Sequence, residues 1–363
     1  MTDVLQPGEK FQGYVVEKLL GRGGLGSVCL VRHEMLDTLY AMKILDPAVA
    51  RENPDYVKRF VREAKIASKI RHPNLVTVHT VGHDEAKGVY FLVMDYVAGG
   101  NLRPVIGMGG PMDHRAAVRI VAQVASALAA GEPFGVVHRD IKPENIMMEP
   151  DGSVKLVDLG VAKVRGADSL KTAAHTIFGT PNYVSPEQAV DSSAVDARAD
   201  VYSLGVVLFE LLCGRRPYEG DTHTAVLQQV LSPNPIPDVR TFNPKVPERL
   251  ALLVQLMCAK DLDKRLGSSS ELLAALEKFG YEVPKVQGEV QKPAPAAEAA
   301  QPFDYGRYAQ ADSNPTLSFD TQDKEIQEFV QNLKAKKRRT LAVRLAVAAA
   351  VAAAVAALVV LVR

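Results

Sequence analysis

The most informative run in the sequence is His138-Arg139-Asp140-Ile141-Lys142-Pro143-Glu144-Asn145, and Asp158-Leu159-Gly160 follows it further along the chain. Asp140 can orient an acceptor hydroxyl or accept its proton. Asn145 and Asp158 supply the hard oxygen ligands that Mg²⁺ requires when it bridges nucleotide phosphates. This spacing therefore predicts a site for a magnesium nucleotide and an acceptor hydroxyl, with phosphoryl transfer between them.

Two further patterns lie nearer the N-terminus. Residues 21–28, Gly-Arg-Gly-Gly-Leu-Gly-Ser-Val, are rich in glycine, so backbone amides can approach phosphate oxygens without a Cβ atom in the way. In the strand predicted for residues 39–45, period-two alternation places Ala41 and Lys43 on one face. Lys43 is therefore a charge in an apolar row and needs a partner.

A helical pattern over residues 55–70 offers that partner. Phe60 and Ala67 fall on one stripe at helical spacing, and Glu63 lies in the middle of it. Because a carboxylate on a buried stripe is expected to be paired, we predict that Glu63 contacts Lys43.

A buried strand is predicted for residues 89–94, and it runs into residues 95–100, where apolar residues give way to glycine. The strand is therefore expected to end in a glycine-containing connection.

Taken in order, these motifs resemble those of eukaryotic-type serine/threonine protein kinases of the bacterial kind. The resemblance implies an α+β, two-lobed protein kinase fold over residues 11–278. A small β-rich N-lobe would span about residues 11–95, and a large helical C-lobe about residues 101–278. A dinucleotide-binding turn, the alternative for the glycine-rich run, lacks the βαβ unit and the ribose-binding acid expected near it.

The resemblance assigns a role to each residue of the site. Asp140 and Lys142 are catalytic, with Lys142 steadying the transferring phosphoryl group, while Asn145 and Asp158 hold Mg²⁺. The residues that match ATP-binding positions are Leu20, Gly21, Arg22, Gly23, Gly24, Leu25, Gly26, Ser27, Val28, Ala41, Lys43, Glu63, Met94, Asp95 and Val97.

Four of these ATP-binding residues have specific roles in the family. The ion pair between Lys43 and Glu63 positions the α- and β-phosphates, and the backbone of Asp95 and Val97 binds adenine. Met94, which precedes them, controls the pocket behind the base, a role compatible with ordinary core packing.

The segment that opens at Asp158 and closes at residues 185–187, Ser-Pro-Glu, resembles the kinase activation segment. The family's usual residue after the metal-binding aspartate is Phe, whereas this chain has Leu159, which also fills an apolar slot. Lys142 and Thr180 follow the pattern of serine/threonine kinases, and Thr180 is expected to contact the protein substrate.

The loop before Thr180 carries hydroxyl groups that can be phosphorylated. Thr172 and Thr176 lie among small and polar residues, and Arg139 directly precedes Asp140, where a loop phosphate could pair with it. We expect autophosphorylation of one or both threonines to dock this loop. The alternative is that they are only solvated hydroxyls.

Other conspicuous residues are expected to be structural. The resemblance pairs Arg265 with Glu187 and gives His138 a packing role without proton transfer. The three cysteines lie in or beside apolar segments and indicate buried thiols of a reducing compartment. A net charge of +1 and the absence of tryptophan leave no obvious stacking platform for bases, so we expect no nucleic-acid partner.

The C-terminal part changes composition. Residues 279–323 are rich in Pro, Ala, Gln, Ser and Asp and predict a disordered linker. Residues 324–340 combine apolar residues at helical spacing with a Lys/Arg-rich end, which indicates a basic amphipathic segment for a membrane surface. A solvated helix and a partner-binding helix are the alternatives.

Residues 341–362 are apolar apart from Arg344 and predict one transmembrane helix. A soluble alanine-rich helix is the alternative, and the fully apolar circumference argues against it. The basic residues on the N-terminal side place the kinase domain in the cytoplasm, in a single-pass protein of the cell membrane. Small residues along this helix also permit a homodimer.

These patterns predict a membrane-tethered, ATP-dependent serine/threonine protein kinase that phosphorylates protein substrates and its own activation loop. A membrane-bound pseudokinase scaffold is the alternative, although all expected catalytic positions are filled. A kinase acting on a small molecule is a third interpretation, but such families generally lack the segment at residues 179–187.

Overall fold

The structure, a computed structural model, describes residues 5–158, 181–191 and 195–284, without the side chains of residues 63, 108 and 109. An antiparallel sheet of six strands forms the N-terminal lobe, in the order β1-β2-β3-β4-β6-β5. Its strands are β1 (Lys10–Phe11), β2 (Tyr14–Gly23), β3 (Gly26–His33), β4 (Leu39–Leu45), β5 (Val78–Asp84) and β6 (Val89–Asp95). Helices α1 (Pro47–Glu52) and α2 (Pro54–Ala67) lie between β4 and β5 in the chain.

The period-two alternation of β4 separates two apolar cores. On one face Met42 and Ile44 pack with Phe91, whose ring meets that of Phe11 edge-on at 5.3 Å. On the other face the apolar stripe of α2 covers the sheet. The helix contributes Phe60, Ala64 and Ala67, and the sheet contributes Val78 and Leu92. Lys43 therefore lies on the face opposite Met42.

Local signals explain where α2 begins. The side chain of Asn53 accepts a hydrogen bond from the backbone N–H of Asp55, and Pro54 occupies the first helical position. The helix ends at Ala67, whereas the sequence pattern extended it to residue 70. Ile70 is still buried, and its side chain lies beside Gly131 of the C-terminal lobe.

The C-terminal lobe is mostly helical. Its helices are α3 (Leu102–Gly109), α4 (His114–Gly131), α5 (Pro186–Val190), α6 (Arg198–Cys213), α7 (His223–Leu231), α8 (Val239–Phe242), α9 (Glu248–Met257) and α10 (Ser269–Lys278). A hairpin of β7 (Ile146–Met148) and β8 (Val154–Leu156) lies on this lobe. Helix α6 is buried from Ala199 to Cys213, as its nearly uniform apolarity predicts, and Gly214 ends it in a left-handed conformation.

Two segments join the lobes. Residues 96–100 lead from β6 toward α3, and a Cβ atom at Gly99 would lie 1.6 Å from the carbonyl oxygen of Met148, so only glycine fits there. Residues 74–76 run beside β8, since Leu156 N donates to Asn74 O at 2.8 Å and Val76 N donates to Leu156 O at 3.0 Å. Backbone contacts therefore fasten both crossings to the β7–β8 hairpin.

The described residues 5–158, 181–191, 195–246 and 250–284 belong to one compact unit. Residues 324–340 and 341–362 lie outside the described residues, as does the linker beyond residue 284. Within the described part of the chain, no helix has the length and apolarity needed to cross a membrane. The predicted transmembrane helix stays a prediction.

Candidate active site

The backbone of the catalytic loop is held by a buried carboxylate of α6. Asp200 accepts hydrogen bonds from the backbone N–H groups of His138 and Arg139, both at 2.7 Å. Arg139 has φ 64°, an uncommon conformation for a residue with a side chain, and these two bonds stabilise it. The side chain of His138 is fully buried, and its Nε2 lies 3.0 Å from Val157 O. His138 therefore packs the loop, as the resemblance implies.

Asp140 is surrounded by residues of its own loop. Lys142 Nζ lies 3.0 Å from Asp140 Oδ2, and the amide of Asn145 donates to the same oxygen at 3.0 Å and to Asp140 O at 2.7 Å. Because the Asn145 amide nitrogen points toward Asp140, its oxygen points away from that residue. This orientation suits a hard cation, so the residues present fit Mg²⁺.

The hairpin brings Asp158, the second residue predicted to bind Mg²⁺, to the loop. Val157 N donates to Asn145 O at 2.9 Å, which places Asp158 beside the catalytic loop. Asp158 has φ 58°, and its Oδ1 lies 2.5 Å from Lys43 Nζ. Burial alone would raise the pKa of Asp158, but the charge and hydrogen bond of Lys43 hold that pKa below its ordinary value. Asp158 therefore stays ionised at neutral pH.

Lys43 thus has a carboxylate partner in the structure, and that partner is Asp158. The predicted pair with Glu63 cannot be assigned, because the Glu63 side chain lies outside the described residues. The backbone of Glu63 is in α2, on the helix that packs against the sheet carrying Lys43.

The predicted nucleotide pocket lies where the sheet meets the crossing. Its glycine-rich run forms the end of β2, a turn and the start of β3, with Gly23 paired to Gly26. A Cβ atom at Gly26 would lie 1.9 Å from Ile44 O, so this close approach requires glycine. An apolar cluster lies beside this run and comprises Val28, Ala41, Val76, Met94 and Val157.

Met94 also bounds a small cavity. The cavity lies between α2 and the sheet, reaches Asp158, and is lined by Ala64, Ala67, Val76, Val78, Leu92 and Met94. Asp95 ends β6, and Val97 lies buried in the crossing that follows.

The activation segment is described only at its ends. Leu159, Thr172, Thr176 and Thr180 lie outside the described residues. At the far end, Ser185 caps α5, and Gln188 Nε2 donates to Arg139 O at 3.0 Å. The start of α5 is therefore attached to the catalytic loop.

Arg139 and Arg265 use their guanidinium groups differently. Arg139 Nε and Nη1 are buried and have no hydrogen-bond partner among the described residues. Arg265 makes a two-pronged ion pair with Glu187, at 2.6 and 3.0 Å. The predicted pairing of Arg265 with Glu187 is confirmed.

One cluster near the site was not predicted. Arg103 of α3 donates to Glu144 Oε1 and to Glu210 Oε1, both at 2.8 Å, and also contacts the hydroxyl of Tyr183, which donates to Glu210. Burial and the charge of Glu210 raise the pKa of Tyr183, so its hydroxyl keeps its proton. Glu144 belongs to the catalytic run, but no local pattern indicated a partner as distant in sequence as Arg103.

Between its two lobes the chain combines a carboxylate that can orient a hydroxyl, two oxygen donors that suit a metal, and a lysine beside an apolar cluster. These features are typical of the nucleotide-dependent phosphotransferase class. A family model described as the protein kinase domain matches residues 14–275. The chain belongs to the protein kinase domain family, whose members use ATP with Mg²⁺.

Bacterial serine/threonine kinases are among the relatives. The chain is 34% identical over 271 residues to the serine/threonine-protein kinase PrkC of Bacillus subtilis, covering 74% of this chain and 41% of PrkC. It is 37% identical over 288 residues to PknB of Mycolicibacterium smegmatis, covering 77% of this chain and 45% of PknB. The chain thus spans less than half the length of these curated relatives.

The crystal structure of the Mycobacterium tuberculosis PknI kinase domain is also similar. It superposes with a TM-score of 0.60 at 28% identity, covering 76% of this chain and 99% of that domain. The two-lobed protein kinase fold predicted from the sequence is confirmed.

Proposed function

We propose that the chain is an ATP-dependent serine/threonine protein kinase. The observation that carries this proposal is the convergence of the catalytic loop with Asp158 and Lys43, residues from three separate segments of the chain. In the transfer, the acceptor oxygen forms a bond to the γ-phosphorus of ATP, the bond from that phosphorus to ADP breaks, and the hydroxyl proton passes to Asp140 or to water.

Each residue of the site has its own role in the transfer. Asp140, held by Lys142 and Asn145, orients the acceptor hydroxyl, and Lys142 steadies the transferring group. Asn145 and Asp158 hold Mg²⁺, which when bound neutralises charge on the phosphate oxygens. Lys43 reaches the same point from β4 and binds the α- and β-phosphates.

Adenine is bound by the crossing between the lobes. The apolar cluster that includes Val28, Ala41 and Met94 offers a surface for the base. The backbone of Asp95 and Val97 lies next to this cluster and provides the hydrogen bonds that orient the base.

Phosphate incorporation tests the proposal. The full-length chain is incubated with radiolabelled ATP and Mg²⁺, alone and with generic protein substrates, beside the Asp140→Asn variant. We expect label on serine and threonine for the unaltered protein only. ATP binding without any incorporation would instead support the pseudokinase scaffold, and label on small molecules alone would support a small-molecule kinase.

We propose that the chain is anchored in the cell membrane by residues 341–362, with the kinase domain on the cytoplasmic side. The apolar composition of these residues and the basic residues before them support this anchor. The helix would also permit association of two copies through its small residues.

Deleting residues 341–363 is expected to move the protein from the membrane fraction to the soluble fraction, with intrinsic phosphoryl transfer unchanged. The reason is that the deletion removes the apolar span and leaves the catalytic residues untouched. A deletion of equal length in the linker, residues 290–312, serves as the control and keeps the protein in the membrane fraction. Full-length protein in the soluble fraction without detergent would rule out the anchor.

Autophosphorylation is expected on Thr172, Thr176 or both. The Nε and Nη1 atoms of Arg139 support this proposal, because they are buried without a hydrogen-bond partner in the described part of the chain and a phosphate is a strong acceptor for a guanidinium group. Such a pair contributes about 1.5–3 kcal/mol, so the Thr172→Ala/Thr176→Ala variant is expected to lose roughly 10- to 100-fold in activity.

Intact-mass and peptide analysis of freshly expressed protein detects this phosphate, and the Asp140→Asn form gives the unmodified reference. In an Arg139→Leu background the two threonine substitutions should lower activity no further, because the partner of the phosphate is gone. An active enzyme without phosphate between residues 163 and 178 would exclude the mechanism.

A further inference from the structure

The carboxylate of Asp95 contacts residues from both lobes. Its Oδ1 lies 2.7 Å from His79 Nε2 of β5, and its Oδ2 accepts a hydrogen bond from Thr77 N at 3.1 Å. Lys155 Nζ, on β8 of the C-terminal lobe, lies 3.8 Å from Oδ2. The backbone of Asp95 is fastened as well, because Asp95 N donates to Thr77 O at 3.0 Å.

A β-bulge directs His79 toward this carboxylate. In the β5–β6 ladder Val78 pairs with Met94 and Thr80 pairs with Val93, so His79 is an extra residue without a partner in the ladder. Bulges re-aim side chains and are frequent next to functional sites. The His79 ring is also held by Tyr40 of β4, which meets it edge-on at 5.1 Å.

The C-terminal lobe contributes Lys155, which lies in the β7–β8 hairpin. This hairpin contacts both segments that join the lobes. Lys155 directly precedes Leu156, whose backbone pairs with residues 74–76, so its ammonium group is delivered beside Asp95. The charge of Lys155 also acts on the nearby carboxylates of Glu149 and Asp151.

The three side chains are partly shielded from water. Their exposed fractions are 28% for Asp95, 30% for His79 and 23% for Lys155, so their interactions are stronger than those of fully exposed pairs. Burial alone would raise the pKa of Asp95, but hydrogen bonds from His79 and the Thr77 amide, with the charge of Lys155, lower it overall. The carboxylate is therefore ionised at neutral pH.

We infer that Asp95, His79 and Lys155 form a clasp that fixes the backbone of residues 95–97 in the orientation that binds adenine. The inference rests on the proposed nucleotide-binding function and deepens it. His79 and Lys155 are then positioning residues, which act on the nucleotide through Asp95. A backbone fixed in advance loses less conformational freedom when the base binds, so the clasp raises affinity for the base.

The clasp predicts an effect that depends on the base. Affinities of the full-length chain are measured by calorimetry for Mg·ATP, adenosine and Mg·tripolyphosphate. Replacing His79 with leucine removes the donor to Asp95 and is expected to raise the Kd of Mg·ATP and adenosine about five- to tenfold. The Kd of tripolyphosphate, which has no base, is expected to stay unchanged.

Three variants complete the series. His79→Gln retains an N–H donor and should stay within about twofold of the unaltered protein, whereas Lys155→Met should weaken ATP binding about two- to threefold because its contact is longer. Lys87→Met is the matched control. It breaks a 2.6 Å ion pair with Glu9 in the same lobe, away from Asp95, and should leave all three affinities unchanged.

Steady-state kinetics provide a second test of the clasp. In His79→Leu the KM for ATP should rise by about the same factor as the Kd, with kcat nearly constant. Unchanged affinity for ATP and adenosine, or an equal loss for tripolyphosphate, would overturn the clasp. If the unaltered chain bound no Mg·ATP, the proposed function itself would fail, and the clasp with it.

Discussion

We expect the Asp158→Asn variant to transfer phosphate at least about a hundredfold more slowly than the unaltered protein, with the fold retained. The substitution keeps the size of the side chain but removes the charge that pairs with Lys43 at 2.5 Å and that is proposed to bind Mg²⁺. Replacing Lys43 with methionine is expected to have an effect of similar size, because it removes the group that is proposed to hold the α- and β-phosphates. Initial rates at saturating ATP, with circular dichroism to check folding, measure both.

Asp151→Asn is a suitable control for Asp158→Asn. Asp151 lies in the turn of the β7–β8 hairpin, close in sequence to Asp158, and its carboxylate accepts hydrogen bonds from the backbone N–H and the hydroxyl of Ser153. Asparagine can make the same bonds, so activity should be unchanged. Near-normal activity in folded Asp158→Asn or Lys43→Met would refute the roles assigned to these two residues.

The second large effect concerns stability. Arg265→Leu is expected to destabilise the protein by about 3–5 kcal/mol, because it leaves the carboxylate of Glu187 without its partner in a mostly buried site. Arg265 is 0% exposed and also donates to the backbone carbonyl oxygens of Ala259 and Arg198. All three acceptors lose their donor in the variant. Urea unfolding of both proteins measures the difference.

Lys264 provides the control for Arg265, because it is the preceding residue and also forms an ion pair. Its contact with Asp261 is 3.7 Å long and largely exposed to solvent. Lys264→Met should therefore change the free energy of unfolding by less than about 1 kcal/mol. Equal effects of the two substitutions would show that the buried pair does not stabilise the fold as argued.

Local patterns predicted the features that depend on neighbouring residues. Helix α6 followed from a nearly unbroken apolar run, and the two faces of β4 followed from alternation. Asp140 and Asn145 were expected to act together because they lie in one short loop, and the structure places the Asn145 amide 3.0 Å from Asp140 Oδ2. The sequence pattern placed the end of α2 at residue 70, whereas the helix ends at Ala67. Ile70 continues the apolar spacing because it is buried, although it is not helical.

Contacts between distant segments could not be predicted from local sequence patterns. The bulge that turns His79 toward Asp95 changes the register by one residue, and sequence alternation does not reveal such a shift. The cluster around Arg103 joins four segments of the chain, so its members have no common spacing. The unusual φ angle of Arg139 likewise depends on a distant residue, because Asp200 of α6 accepts a hydrogen bond from its backbone N–H.

The sequence by itself determined the kinase family, the two-lobed fold and the types of residue that the site needs, because each motif is short and its chemistry depends on local spacing. Only the tertiary structure showed that Lys43 contacts Asp158 and that Asp95 is held between the lobes. Those contacts join residues as far apart in sequence as Lys43 and Asp158, so they exist only after both lobes have packed.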